Sequence, residues 1–354
     1  MYKKEIEILK KKNRFRQRKI YENLIDFASN DYLGMASNQE VLEKTYNMIK
    51  GDEYGAKASL LVNGYNAYHQ MLEEYLCEIN DYKAGIVVGS GFLANMSIFE
   101  ALARKGDLIV LDEEYHASGR VGVNLSQAEV RYFKHNDLED LIYKLQDSIH
   151  FNRVFVGVEG IYSMGGDLVK EEILQYLAVK KKVITVIDEA HSVGVVGNNL
   201  MGVVDLYNIP TVNTIKIGTL GKALGSYGAY ILASKEIISF LENRAKGIIY
   251  TTALSNFDTM YAYFALKNIK ENLSEYKKEI KKRQQLLGID SLIWIKEYKD
   301  DILLKNEELQ KKGFLVGAIR PPTVKSPIFR ITARISENIE KLEELKRLLD
   351  EDRS

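Results

Sequence analysis

The stretch "GTLGKALGSYGAY", Gly218 to Tyr230, sets one lysine, Lys222, among glycines and apolar residues with no carboxylate beside it. Such a lysine either grips an anion or is made reactive, because an apolar surrounding disfavours the charged ammonium. Three other runs offer partners. "KVITVIDEAH" closes an apolar run on Asp188, and His191 follows. A carboxylate there is costly unless it meets a cation or strong donors, although capping the next helix is the plainer alternative. "DLIVLDEEYHASGR" carries His116, whose plainer reading is a structural histidine. "VVGSGFLANMSIFEALARKGD" reads as a strand, a Ser90-Gly91-Phe92 turn and a helix. Backbone N–H groups and a helix N-terminus there favour an anion such as phosphate, though many such turns are only tight turns.

Read together, these residues fit one ligand. A phosphate at the turn, an aromatic ring under His116, a cationic ring nitrogen for Asp188 and an aldehyde for Lys222 describe pyridoxal 5′-phosphate. A phosphate-binding Walker loop does not fit, because Lys216 stands six before Lys222 where glycine is needed and Ala223 replaces the magnesium-binding Ser or Thr. No G-x-G-x-x-G opens a helix near the first strand, which argues against a dehydrogenase.

The elements that must position these residues are legible as a pattern. Between about residues 84 and 235, β-rich runs alternate with helical ones, as in a parallel sheet covered by helices. The strand candidates are "GIVVGS", "DLIVLD", "VFVGVEG", "KVITVIDEAH", "TIKIGT" and "YGAYILAS", several of them apolar on consecutive residues as in strands buried on both faces. A ligand of such a sheet collects at the carboxyl ends of its strands. A long lysine- and glutamate-rich helical stretch follows near 257–285. The remainder, with "FLVGAIRPPTV", "SPIFRITARIS" and a final helix, reads as a smaller α+β domain. The expected division is an arm over 1–40, a large cofactor-binding α/β domain over 41–270 and a small domain over 271–354.

Composition narrows the partners. Lys+Arg and Asp+Glu are both 49 among 354 residues, so no general attraction to nucleic acid or to an acidic membrane is expected. The single cysteine, Cys77, excludes an internal disulfide and a cysteine-based zinc cluster, and its place beside a helical stripe reads as packing. No metal site is expected. No run approaches the roughly 18–20 apolar residues of a membrane span. The basic start "MYKKEIEILKKKNRFRQRK" lacks the apolar stretch of a secretory signal, so a cytoplasmic protein is expected.

The ordered motifs "FASNDYLG", "GSGFLAN", "HAS", "VEGIYSMGGD", "IDEAHSVGVVG", "GTLGKALG", "IIYTTALS" and "AIRPPTV" resemble the α-oxoamine synthases over residues 24–345. These are fold-type I pyridoxal-phosphate acyltransferases: a large, mostly parallel sheet domain with helices on both faces, plus a smaller α+β domain. The resemblance implies condensation of an amino acid with an acyl thioester and release of carbon dioxide. "SNDYLG" and "AIRPPTV" point to the branch that joins L-alanine to a pimeloyl thioester, on coenzyme A or acyl carrier protein, in biotin biosynthesis. The alternative is the glycine C-acetyltransferase branch, which shares the lysine and aspartate motifs. An aminotransferase or lyase on the same cofactor is a wider alternative.

The resemblance also implies roles. Lys222 matches the lysine that binds the cofactor covalently, Asp188 the residue facing the pyridine nitrogen, His191 that near the ring hydroxyl and His116 that stacked on the ring. Ser90, Gly91 and Phe92 fall on the phosphate site, with hydroxyls from Ser163 and Thr219 near the cofactor. Thr252, beside Tyr250, matches a position reaching the phosphate from a second subunit, which implies a homodimer with a shared active site. Arg330 matches the arginine that holds the substrate carboxylate, and Asn30 and Tyr250 lie in matching substrate regions. The chain departs from the family's glycine-rich entrance at "YGAKASLLVNGYNAYH".

Overall fold

The computed structural model describes residues 1–12, 14–298 and 300–351. Twelve strands run among them: β1 (Ile25–Asp26), β2 (Ala84–Val88), β3 (Leu108–Asp112), β4 (Glu129–Phe133), β5 (Val154–Glu159), β6 (Val183–Asp188), β7 (Thr214–Thr219), β8 (Ala229–Ala233), β9 (Ile293–Glu297), β10 (Phe314–Leu315), β11 (Gly317–Ile319) and β12 (Ile328–Thr332). Two compact units share them. One spans Asn30–Leu292 with Arg334–Ser336; the other gathers Ile293–Ala333 and the flanking Met1–Ser29 and Glu337–Ser354.

The larger unit is built on a seven-stranded sheet in the order β2-β8-β7-β6-β5-β3-β4. The run from β4 through β3, β5 and β6 to β7 is parallel, and β8 is antiparallel to both neighbours. The six expected strands are β2, β3 and β5 to β8. The seventh, β4, was not expected: its "EVRYF" puts charged residues on an edge strand that is only partly buried. Residues of β3, β5 and β8 are buried throughout, which is why those runs are apolar without alternation. Phe99, Ile109, Phe155, Ile215 and Ile231 are among the side chains that form the core between the sheet and its helices.

The helical stretch near 257–285 is two helices, Asn256–Glu271 and Leu273–Leu287, parted at Asn272. Cys77 lies on the Ala67–Asn80 helix against β2, close to Gly85. In the smaller unit β11, β12 and β9 form an antiparallel sheet, and β1 pairs with β10. Its last helix, Ile339–Asp350, buries Leu342, Leu345 and Leu349 at helical spacing.

Candidate active site

Lys222 rides on residues 220–228, the link between antiparallel neighbours β7 and β8. Thr219 staples both ends of that link: its hydroxyl donates to the Gly228 carbonyl at 3.1 Å and accepts from the Gly221 N–H at 3.3 Å. Inside it, Ser226 N–H donates to Leu220 and Gly225 N–H to Lys222. Gly225 has φ +62°, and a Cβ there would lie 2.3 Å from the backbone nitrogen of Ala36. Only glycine meets both conditions. The loop so held places Lys222 Nζ 2.7 Å from His191 Nε2, while His191 Nδ1 lies 2.6 Å from the hydroxyl of Tyr32. Tyr32 and His191 are buried.

Asp188 ends β6 beside this group. Asn95 Nδ2 donates to its Oδ2 at 2.6 Å and the Ala190 N–H to its Oδ1 at 3.0 Å. The Tyr115 hydroxyl donates in turn to Asn95 Oδ1 at 2.6 Å. His116 caps the Ala117–Leu125 helix by accepting from the Ser118 N–H, so its plainer structural role is present as well. Its ring is exposed at the surface yet crowded by protein. That crowding lowers its pKa; Asp188 opposes the change and Lys222 adds to it. Asp188, Lys222 and His116 therefore share one electrostatic neighbourhood. Ser163 joins it from the loop after β5, its N–H donating to Glu159 Oε2 at 3.0 Å.

Ser90 caps the Gly91–Leu102 helix by accepting from the Leu93 N–H. Helix geometry leaves the first-turn N–H groups of Gly91 and Phe92 without carbonyls of their own helix. Ser90, Phe92 and Thr252 line one pocket of about 510 Å³. Ala56, from the segment that departs from the family pattern, lines it too, and Ser59 of that segment bridges to Thr252. Tyr250 is 79% exposed and lines a different groove, with Arg104, Arg244 and Lys246. Asn30 has its Oδ1 buried without a hydrogen-bond partner among the described residues. Arg330 sits in the smaller unit on β12, buried and donating to Thr332 Oγ1 at 3.3 Å.

Two clusters, the first buried and the second partly exposed, brace these loops. Behind Asp188, Glu189 accepts from the N–H groups of Val203 and Val204 and from Ser192 Oγ, and it faces the buried ammonium of Lys216 at 3.9 Å. On the other side, His135 bridges Asp112 at the end of β3 and Asp167 in the Ser163 loop, at 2.9 Å to each. Burial alone would lower the pKa of His135, but the two aspartates outweigh it and push it up to about 10.

Sequence reasoning passed over Tyr32, Asn95, Glu159 and His135. Tyr32, Asn95 and Glu159 lie inside the motifs quoted above, and Asn95 carried a signal of its own as a polar residue within the apolar first half of its helix.

The donor set fits pyridoxal 5′-phosphate: a half-buried amine, a buried carboxylate fixed by two donors, and a helix N-terminus whose first-turn N–H groups have no carbonyl in their own helix, beside a lined pocket. Comparison with known proteins agrees. The family model for aminotransferase class I and II matches residues 22–346. The 8-amino-7-oxononanoate synthase of Helicobacter pylori strain J99 is 37% identical over 360 residues, covering 99% of this chain and 96% of the relative. The crystal structure of 8-amino-7-oxononanoate synthase from Francisella tularensis has a TM-score of 0.75 at 26% identity, covering 94% of this chain and 98% of that one. Serine palmitoyltransferase of Sphingomonas wittichii shares the fold, with a TM-score of 0.90 at 21% identity over 99% of this chain and 97% of that one. The chain thus belongs to the aminotransferase class I and II family, as a transferase whose cofactor is pyridoxal 5′-phosphate.

Proposed function

We propose that this protein is an 8-amino-7-oxononanoate synthase of biotin biosynthesis, condensing L-alanine with pimeloyl-CoA or pimeloyl-acyl carrier protein. The observation that carries the reading is the 37% identity to a synthase of that name over 99% of the chain. In the balance of the reaction, a bond forms between the alanine Cα and the thioester carbonyl carbon. The C–S bond breaks to release the thiol, and the alanine carboxylate leaves as carbon dioxide.

When bound, pyridoxal phosphate supplies an electron sink for negative charge at the alanine Cα. We assign Lys222 as the amine that holds its aldehyde and, once released, as the base that takes the Cα proton. At neutral pH an unperturbed lysine amine is mostly protonated; the 2.7 Å contact with His191 Nε2 has room for one hydrogen between the two nitrogens, which gives the amine a partner to exchange its proton with. Asp188, held by Asn95 and Ala190, keeps a proton on the ring nitrogen, and His116 covers the ring. The Gly91 and Phe92 N–H groups, with Ser90 and the second copy's Thr252, hold the phosphate; Ser163 and Thr219 place hydroxyls nearby. Arg330 takes the alanine carboxylate, for which its planar fork suits two parallel hydrogen bonds. Asn30, whose Oδ1 is buried with no partner among the described residues, and Tyr250 serve the substrate.

We assign the working form as a cytoplasmic homodimer in which the second copy's Thr252 reaches the phosphate. Phe92, Leu61, Val62 and Tyr250 are large apolar side chains left exposed near these motifs, as at a surface that becomes covered. Among the described residues no helix is long and apolar enough to cross a membrane.

The test is thiol and carbon dioxide release from alanine with pimeloyl thioesters, set against glycine with acetyl-CoA. The pimeloyl pair should turn over and the acetyl pair should not; the reverse preference overturns the reading. Lys222→Ala should lower turnover by at least the order of 10²–10⁴-fold expected of a lost acid–base group.

A further inference from the structure

Strands β5 and β6 end side by side on two carboxylates, Glu159 opposite Asp188 in the parallel register. Glu159 is 2% exposed and Asp188 6%. Each oxygen of Asp188 has a hydrogen-bond donor. Glu159 is served unequally: Oε2 accepts from the Ser163 N–H at 3.0 Å, and the backbone of His116 also hydrogen-bonds the carboxylate. Its Oε1 is buried with no partner among the described residues. Two buried carboxylates side by side do not both keep their charge, and the less well served one takes the proton. An unpartnered buried oxygen costs far less on a neutral acid than on an ion.

We propose that Glu159 is a positioning residue that stays protonated at neutral pH, anchoring the backbones of His116 and Ser163 while Asp188 alone carries the charge that faces the cofactor's ring nitrogen. This rests on the role assigned to Asp188 above. The groups facing Glu159 are Asp188 from β6, Lys222 from the loop after β7, and His116, Tyr115 and Tyr162 from the loops after β3 and β5. Burial first, then Asp188, pushes the Glu159 carboxyl well above its ordinary range; the Ser163 and His116 backbones and Lys222 pull the other way and do not prevail. Tyr115 and Tyr162 are themselves pushed up by burial and by neighbouring carboxylates, so they stay neutral.

The proposal separates two substitutions. Glu159→Gln replaces a neutral acid by a neutral amide of the same shape, whereas Glu159→Ala removes the anchor. In the apoprotein, an acid whose pKa rises on folding stabilises fully below its unfolded value and loses that contribution as pH climbs through the folded value. Melting temperatures of wild type and Glu159→Gln should therefore diverge between about pH 5 and pH 8 in favour of the variant, by about 2 °C or more. A constant difference overturns the proposal. With pyridoxal phosphate added, the visible band of Glu159→Gln should titrate within about 0.3 units of wild type, because charge is unchanged; a midpoint lowered by about a unit would mean that a negative charge had been removed. Glu159→Ala should weaken cofactor affinity by about tenfold, one hydrogen bond's worth, and wild-type affinity there removes the anchoring role. If the glutamine variant does not fold, infrared spectra of the wild-type and Glu159→Ala apoproteins at about pH 8 decide: a carboxylic-acid C=O band that is present in the wild type and lost in the variant supports the proposal, and identical bands or none overturn it. A wild type that gives no visible band with pyridoxal phosphate would instead sink the reading of the site, leaving the melting test standing.

Discussion

The amine of Lys222 lies 2.7 Å from Nε2 of His191, whose Nδ1 lies 2.6 Å from the hydroxyl of Tyr32. The three groups form one chain, so the donor at one end sets the proton at the other. When Tyr32 donates to Nδ1, Nε2 carries the ring hydrogen and a neutral lysine amine accepts it. Tyr32→Phe frees His191 to take the other tautomer, with Nε2 accepting from an ammonium. The acid limb of the pH–activity profile should then move to higher pH by about 0.7 unit, the equivalent of a net hydrogen bond of about 1 kcal/mol. An unmoved profile would show that the tyrosine has no hold on the lysine.

Asn95 bonds to two buried groups at once, Asp188 Oδ2 and the Tyr115 hydroxyl. Asn95→Ala leaves both without that partner, at about 1–3 kcal/mol for each. Thermal melting should register the loss, and equilibrium dialysis should show weaker pyridoxal phosphate binding because the carboxylate is no longer aimed. A variant that melts lower yet binds the cofactor as wild type does would confine Asn95 to stability.

His135 is held as a cation by Asp112 and Asp167. A histidine whose pKa rises on folding stabilises in full below its unfolded value of 6.5 and loses that contribution as pH climbs through the folded value of about 10. Wild-type melting temperature should therefore fall across that window. His135→Gln should flatten the fall and cost about 1.5–3 kcal/mol at neutral pH, the range for hydrogen bonds to a charged group. Parallel melting curves for the two proteins would count against the clamp.

The parts of the molecule that could be read in the sequence are those where one residue's neighbours lie close along the chain. Asp188 and Lys222 announce themselves because each interrupts an apolar or glycine-rich run at a strand end. The contacts that tune them are distant. Asn95 meets a carboxylate 93 positions away and Tyr32 a histidine 159 positions away, separations at which neither periodicity nor spacing carries information. Strand β4 escaped because Glu129 and Arg131 give an edge strand the composition of a loop. The reversal of β8 had a local sign that went unused: the link over 220–228 is shorter than the dozen or so residues a parallel crossover needs.

That short link has a consequence for how this chemistry can persist. Its two ends are pinned to strands that are themselves hydrogen-bonded side by side, so the Lys222 backbone is located by the sheet and not by the segment over residues 56–60. Rewriting the rim, as "AKASL" does at residues 56–60, leaves the anchorage alone. One inserted residue between Thr219 and Gly228 would unseat it.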